Sequence, residues 1–155
     1  MSDERAQATL ALLGERLGLQ GLRLNASGVC RLVFEQRWVV TLVHDAALRQ
    51  IVLHCPLCAA PQAATLSPAT LRSLLQASFM GQGCGGGQLA MAPDGHVCLQ
   101  WAVALADADE ALAPALESLL NQAERWSPRL QAGDPAAPAV DEAATLPPAW
   151  TMQKV

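Results

Sequence analysis

The chain has 155 residues, a length typical of one domain. Hydrophobic residues make up 52% of it and charged residues only 15%, whereas about a quarter is usual for charged residues in globular proteins. Such a composition excludes a surface covered mainly by charge. It favours an oligomer interface or an exposed binding surface.

The net charge is −4, and it is unevenly distributed: residues 1–105 carry seven arginines against six acids, and residues 106–155 carry three bases against eight acids. Because the arginines are scattered, we expect no binding to nucleic acid. No apolar run approaches the roughly 18 residues that cross a membrane, and the start of the chain does not resemble a signal peptide. With no export signal, the five cysteines favour reduced thiols in the cytoplasm.

The first predicted element is an amphipathic helix. Its apolar residues recur at spacings of four, three and four, which places them on one helical face. Gly18 is in a position to end this helix. The apolar residues are Ala6, Leu10, Leu13 and Leu17.

Three strands are predicted next, joined by connections so short that neighbouring strands should be antiparallel. In the first strand, Cys30, Leu32 and Phe34 share one face. The second strand is apolar on both faces except at Thr41. The three strands are predicted over residues 29–35, 38–43 and 48–55.

The second half of the domain predicts a helix, a β-hairpin and a last helix. Ser67 caps the first of these helices and Pro68 fits its first turn, while the glycine-rich segment 81–86 closes it. Pro114 predicts that the regular part of the last helix begins near that residue. The strands of the hairpin are predicted over residues 88–92 and 96–103.

This order predicts an α+β domain over residues 1–131, with a twisted antiparallel sheet flanked by three helices in the order α-β-β-β-α-β-β-α. The segment 56–66 is predicted to be a connector. Residues 132–155 are rich in proline and alanine, and we expect them to form a flexible tail.

Two motifs could indicate chemistry at a site. Residues 81–86 match the GxGxxG pattern, but they follow a helix and lead into a strand, the reverse of a dinucleotide site, so we interpret them as a turn. Cys55 and Cys58 form a CxxC motif, but no convincing helix begins there to lower a thiol pKa. Zinc binding at this motif would need two more ligands. The available side chains are Cys30, Cys84, His96 and Cys98, none of which we interpret as a closely spaced ligand pair.

We therefore predict no enzyme, no metal ion and no cofactor. The alternative is a small α+β enzyme or ligand-binding domain with a thiol or metal site around Cys55 and Cys58. No histidine has an obvious nucleophile and orienting acid beside it in the sequence.

The order of elements, together with several short motifs, resembles the class I chaperones of bacterial type III secretion, the Tir-chaperone-like family. The similarity covers about residues 5–131, while the connector and the proline-rich tail depart from compact members. The motifs are Leu10-x-x-Leu13-Gly14, Leu22-x-Leu24-Asn25-x-x-Gly28-x-Cys30-x-Leu32-x-Phe34, Leu71-x-x-Leu74-Leu75, Gly87-x-Leu89-Ala90-x-x-Pro93-Asp94-Gly95 and Ala123-x-x-Trp126.

This resemblance implies a cytoplasmic homodimer that binds the non-globular N-terminal segment of one or a few secreted effectors and keeps them competent for export. It also implies the export-apparatus ATPase as a candidate partner. A regulatory adaptor of the same fold, binding a transcription factor or an export component, is a further hypothesis. By analogy, the effector-binding residues are Leu10, Leu13, Leu17, Leu32, Phe34 and Val40. The same analogy assigns the dimer interface to Leu71, Leu74, Leu75, Phe79 and Leu89.

Overall fold

The computed structural model describes residues 2–131, and it confirms the predicted α+β fold and the order of its main elements. A one-turn helix, α2, is an addition to that order. The predicted tail at 132–155 lies outside the described residues. The elements are α1 (Ser2–Leu17), β1 (Val29–Phe34), β2 (Trp38–Asp45), β3 (Gln50–Cys58), α2 (Ala60–Ala63), α3 (Pro68–Ser78), a 3₁₀ segment (Phe79–Cys84), β4 (Gln88–Met91), β5 (Val97–Ala104) and α4 (Ala108–Gln131).

The five strands form one antiparallel sheet in the order β1-β2-β3-β5-β4, so β1 and β4 are its edges. One face of this sheet is the core face, with Leu42 opposite Leu53 and both fully buried. Helix α4 packs against β3 and β5, and α1 packs against α4. Asp109 connects the two helices, because its carboxylate accepts a hydrogen bond from Thr9 at 2.7 Å and pairs with Arg5 at 2.8 Å.

Helix α4 begins at Ala108, so the prediction that its regular part starts near Pro114 is wrong. Pro114 and Pro128 both lie inside the helix. A proline within a helix removes one backbone hydrogen bond and costs about 3 kcal/mol. Burying a leucine side chain contributes about 1.5 to 3 kcal/mol, and α4 buries several of them, so packing on the sheet outweighs the local cost.

The segment after Cys55 is more ordered than the predicted connector. Strand β3 continues to Cys58, with a shift in register between Pro56 and Cys58, because β5 offers it pairing partners as far as Val97. Helix α2 follows immediately, with proline in its first turn. The hydrogen-bonding partner that extends β3 comes from residues about 40 positions later in the chain, which local patterns cannot reveal.

Ser78, the last residue of α3, connects this helix to the edge strand β4. Its hydroxyl oxygen lies 2.9 Å from both the backbone nitrogen and the backbone oxygen of Leu89. The glycine-rich turn then brings the chain back, as predicted. Gly81 has a φ of +69°, and a Cβ there would lie 2.9 Å from the backbone of Gly86.

We expect Ser78→Ala to lower the free energy of unfolding by about 1 to 3 kcal/mol, because the amide of Leu89 loses its partner in a partly buried position. Ser73→Ala is the matched control, since its hydroxyl donates only to Ala69 at an exposed position and its loss should change stability by less than about 0.5 kcal/mol. Urea denaturation measures both. Equal stability of the two variants would contradict the role of Ser78.

Candidate protein-binding surfaces

Nine large apolar side chains within residues 2–131 are substantially exposed in the protomer. Isolated apolar side chains are common on protein surfaces, but a cluster of them marks contact with another molecule. Members of this set contribute to two surfaces, one on α3 and one on the sheet. The nine residues are Leu12, Leu17, Leu19, Val33, Leu48, Leu75, Phe79, Met80 and Met91.

The first surface is the outward side of α3. Leu75 is 74% exposed, and Phe79, one helical turn later, is 61% exposed. Met80 extends the surface and is 63% exposed. The only charged residue of the helix is Arg72. We call Leu75, Phe79 and Met80 the α3 outer face, and its lack of charge is typical of a protein interface.

The residues predicted for the dimer interface divide into two groups. Leu74 and Leu89 are buried in the core of the protomer, and Leu71 is half-buried. Leu75 and Phe79 are exposed. Met80 was not predicted, because the chain leaves the helix before it and takes a left-handed φ of +53°, which helical periodicity does not anticipate.

The second surface is the side of the sheet opposite the core face. Val29 pairs with Val43, which pairs with Val52, so these three form a row across β1, β2 and β3. Val33 and Val39 form a second cross-strand pair. All five side chains are half-buried or exposed. We call these five residues the open valine face, since strand alternation directs them away from the core.

The outer edge of β1 borders the open valine face. Within residues 2–131, no strand pairs with that edge. A free edge presents backbone N–H and C=O groups to which an extended peptide can add as a further strand. Pairing at this edge and apolar contact with the valines are therefore available to the same ligand.

The residues predicted to contact an effector lie mostly inside the protomer. Leu17 is 37% exposed and Phe34 is half-buried. The alternation of β1 identified a buried face correctly, but it was the core face, and the smaller valines occupy the accessible one. The other four predicted residues are at most 6% exposed: Leu10, Leu13, Leu32 and Val40.

The CxxC motif lies in and at the end of β3, and both thiols are buried. Burial raises the pKa of Cys55 to about 11, with a smaller contribution from the nearby Cys98 thiol. Burial also raises the pKa of Cys58. Each thiol donates to the carbonyl of the following residue. Both thiols are therefore protonated at neutral pH, which is unfavourable for redox chemistry.

We expect iodoacetamide to alkylate Cys55 in the native protein at least about 100-fold more slowly than in denaturant, because the thiolate is the reacting form and the ordinary thiol pKa is about 8.5. Cys58 should also react slowly. Mass spectrometry of peptides from timed reactions measures both. Rapid native labelling of either thiol would instead support the thiol-site alternative.

The similarity to known proteins is consistent with these binding surfaces. Residues 8–127 match the profile of the Tir chaperone protein (CesT) family. The chain belongs to this family. No curated protein sequence matches it significantly.

Several solved structures share this fold, and each of the following three is a complex of two different proteins. A chain of the ExsC–ExsE complex is 23% identical, with a TM-score of 0.70, covering 83% of this chain and 95% of its own. A chain of the HopA1–SchA chaperone–effector complex is 18% identical, with a TM-score of 0.71 and coverages of 83% and 97%. A chain of the complex between the Yersinia pestis type III secretion chaperone SycH and a stable fragment of YscM2 is 20% identical, with a TM-score of 0.62 and coverages of 77% and 98%.

These comparisons support the function of an effector chaperone of type III secretion. They do not support the alternative of an enzyme with a thiol or metal site around Cys55 and Cys58. Among residues 2–131, every helix is too short or too polar to pass through a lipid bilayer.

Proposed function

We propose that this Tir chaperone family member is a type III secretion chaperone that acts in the bacterial cytoplasm as a homodimer. It binds the non-globular N-terminal segment of one or a few effectors and keeps them competent for export. The family match over residues 8–127 is the observation that carries the proposal. The two apolar surfaces support it, since one suits a second copy of the chain and the other suits an extended client.

The α3 outer face is the proposed dimer interface. Two copies related by a two-fold axis would bring Leu75 and Phe79 of one protomer against the same residues of the other, as in most homodimers. Leu74 and Leu89 support this surface from the core side, and Leu71 lies at its margin. The predicted interface is therefore retained as a proposal, with Met80 added.

The open valine face and the free edge of β1 form the proposed client-binding site. An extended client segment can pair with β1 and place alternate side chains over the valines, which gives affinity through the backbone and selectivity through side-chain fit. Of the residues proposed from the sequence, Leu17 and Phe34 are partly accessible, but neither belongs to the open valine face, because Phe34 lies on the core face of β1 with Cys30 and Leu32. Docking to the export-apparatus ATPase remains a further proposal from the family resemblance.

Co-expression with secreted proteins encoded beside this gene tests the function. We expect one of them to co-purify with two copies of the chaperone, as measured by size-exclusion chromatography with light scattering. The matched control is the same secreted protein without its N-terminal segment, which should not be retained.

A monomer of 16.3 kDa that retains no secreted protein would contradict the proposal. Retention of a transcription factor or an export component in place of an effector would favour the regulatory adaptor.

A further inference from the structure

Three potential metal ligands meet on the sheet where β3 and β5 pair. His54 lies on β3, Cys98 on β5, and His96 immediately before β5. One ligand atom from each residue lies within 4.8 Å of the other two. His54 pairs with Gln100 and Cys98 pairs with Pro56, so strand alternation places His54, His96 and Cys98 on the same face.

The spacing of the two imidazoles suits a shared metal ion. The Nε2 atoms of His54 and His96 are 3.2 Å apart, and the rings meet at 83° without stacking. Two nitrogens bound at about 2.0 to 2.1 Å to a tetrahedral zinc ion lie about 3.3 Å apart. The observed separation therefore requires little movement of either ring when an ion enters between them.

Asp94 orients one of these rings. Its Oδ1 lies 2.5 Å from Nδ1 of His96 and also accepts a hydrogen bond from the backbone N–H of His96 at 3.2 Å. When Nδ1 donates to the carboxylate, Nε2 carries the lone pair that a metal needs. A carboxylate behind a histidine is the usual outer-shell arrangement at zinc sites.

We propose that His54, His96 and Cys98 bind a zinc ion, with a fourth position open to water. Two imidazoles and one thiol are a ligand set for zinc and not for calcium or magnesium, which take oxygen ligands. An ion can approach from the histidine side, where the His96 side chain is 21% exposed, while the Cys98 thiol lies beneath. The bound ion would join the start of β5 to β3 and stabilise the sheet.

This site includes His96 and Cys98, which were considered as additional ligands for the CxxC motif, but it contains His54 in place of Cys55 and Cys58. His96 and Cys98 were not predicted to be a closely spaced ligand pair, although their spacing of two residues suits a strand, where both side chains share one face. His54 joins them only through the pairing of β3 with β5. The site shares no residue with the α3 outer face, but it lies on the same side of the sheet as the open valine face, since His54 follows Val52 by two residues on β3.

Zinc content of the full chain, purified without chelator and equilibrated with zinc sulfate, tests the proposal. We expect about one zinc per chain by mass spectrometry, and an absorption band of thiolate-to-metal charge transfer when cobalt(II) replaces zinc. Cys98→Ser and His96→Gln should each remove the bound zinc. Asp94→Asn should weaken zinc binding by about 10- to 100-fold, because the carboxylate only orients His96.

Cys84→Ser is the matched control for Cys98→Ser. Both thiols are fully buried and donate to a backbone carbonyl, at 3.4 Å for Cys84 and 3.5 Å for Cys98, but Cys84 is outside the cluster. The control should retain zinc.

Thermal unfolding of the unmodified chain, with zinc and with chelator, provides a test that needs no variant. Zinc should raise the melting temperature of the unmodified chain and of Cys84→Ser, but not that of Cys98→Ser. Zinc content in the unmodified chain no higher than in Cys98→Ser, or an unchanged melting temperature, would overturn the proposal and leave an ordinary hydrogen bond between His54 and His96.

Discussion

The variant Leu75→Glu/Phe79→Glu should be monomeric at concentrations where the unmodified chain is dimeric. Each of these exposed side chains would contribute about 1.5 to 3 kcal/mol if buried in the dimer, so losing both should raise the dimer dissociation constant by about 100-fold or more. The carboxylates add a desolvation penalty in the interface. Sedimentation equilibrium over a concentration series measures the change.

Leu48→Glu is the matched control for this substitution. Leu48 is 70% exposed, close to the 74% of Leu75, but it lies in the turn between β2 and β3. The control should remain a dimer with unchanged circular dichroism. A Leu75→Glu/Phe79→Glu variant that stays dimeric would remove the α3 outer face as the interface, whereas the fold itself should survive because neither side chain belongs to the core.

The variant Val33→Glu should weaken binding of the client by about 2 to 3 kcal/mol, which is about 30- to 150-fold in Kd. Val33 is 61% exposed on the edge strand β1, so its replacement should not disturb the core. A carboxylate there would have to be desolvated when the client covers the open valine face. Isothermal titration calorimetry with the N-terminal segment of the client measures the loss.

The dimer should remain intact in Val33→Glu, which separates the two surfaces. Leu48→Glu again serves as the control and should bind the client normally. Unchanged affinity of Val33→Glu would place the client elsewhere, and the exposed Leu17 and Leu19, at and just after the end of α1, would be the next candidate contacts.

Several features of the fold followed directly from local patterns. The stripe from Ala6 to Leu13 forms a buried helical face, and Ser67 caps α3 through a 3.1 Å hydrogen bond from the amide of Thr70. Predictions from local patterns were wrong where contacts with distant segments determine the limits of a helix or strand. Pro114 is exposed but stays within α4 because neighbouring side chains such as Leu112 and Leu116 are buried in the core, and β3 continues past Cys55 because β5 pairs with it.

The candidate surfaces were predicted less completely than the fold. The family resemblance assigned Leu75 and Phe79 to the dimer interface, and helical spacing adds only that residues four apart share one face of a helix. Neither the resemblance nor the spacing revealed that Leu74 is buried in the core whereas Leu75, the next residue, is exposed. On β1, alternation identified the buried face, but the sequence did not reveal whether the protomer core or a bound client covers that face.

The sequence by itself determined the type, order and approximate limits of the main elements and the family to which the chain belongs, because periodicity, caps and turns are properties of neighbouring residues. Only the tertiary structure decided which apolar residues remain accessible, since burial depends on which face the helices cover. It also brought together His54 and His96, which are 42 residues apart in the chain, because strand pairing joins segments that the sequence separates.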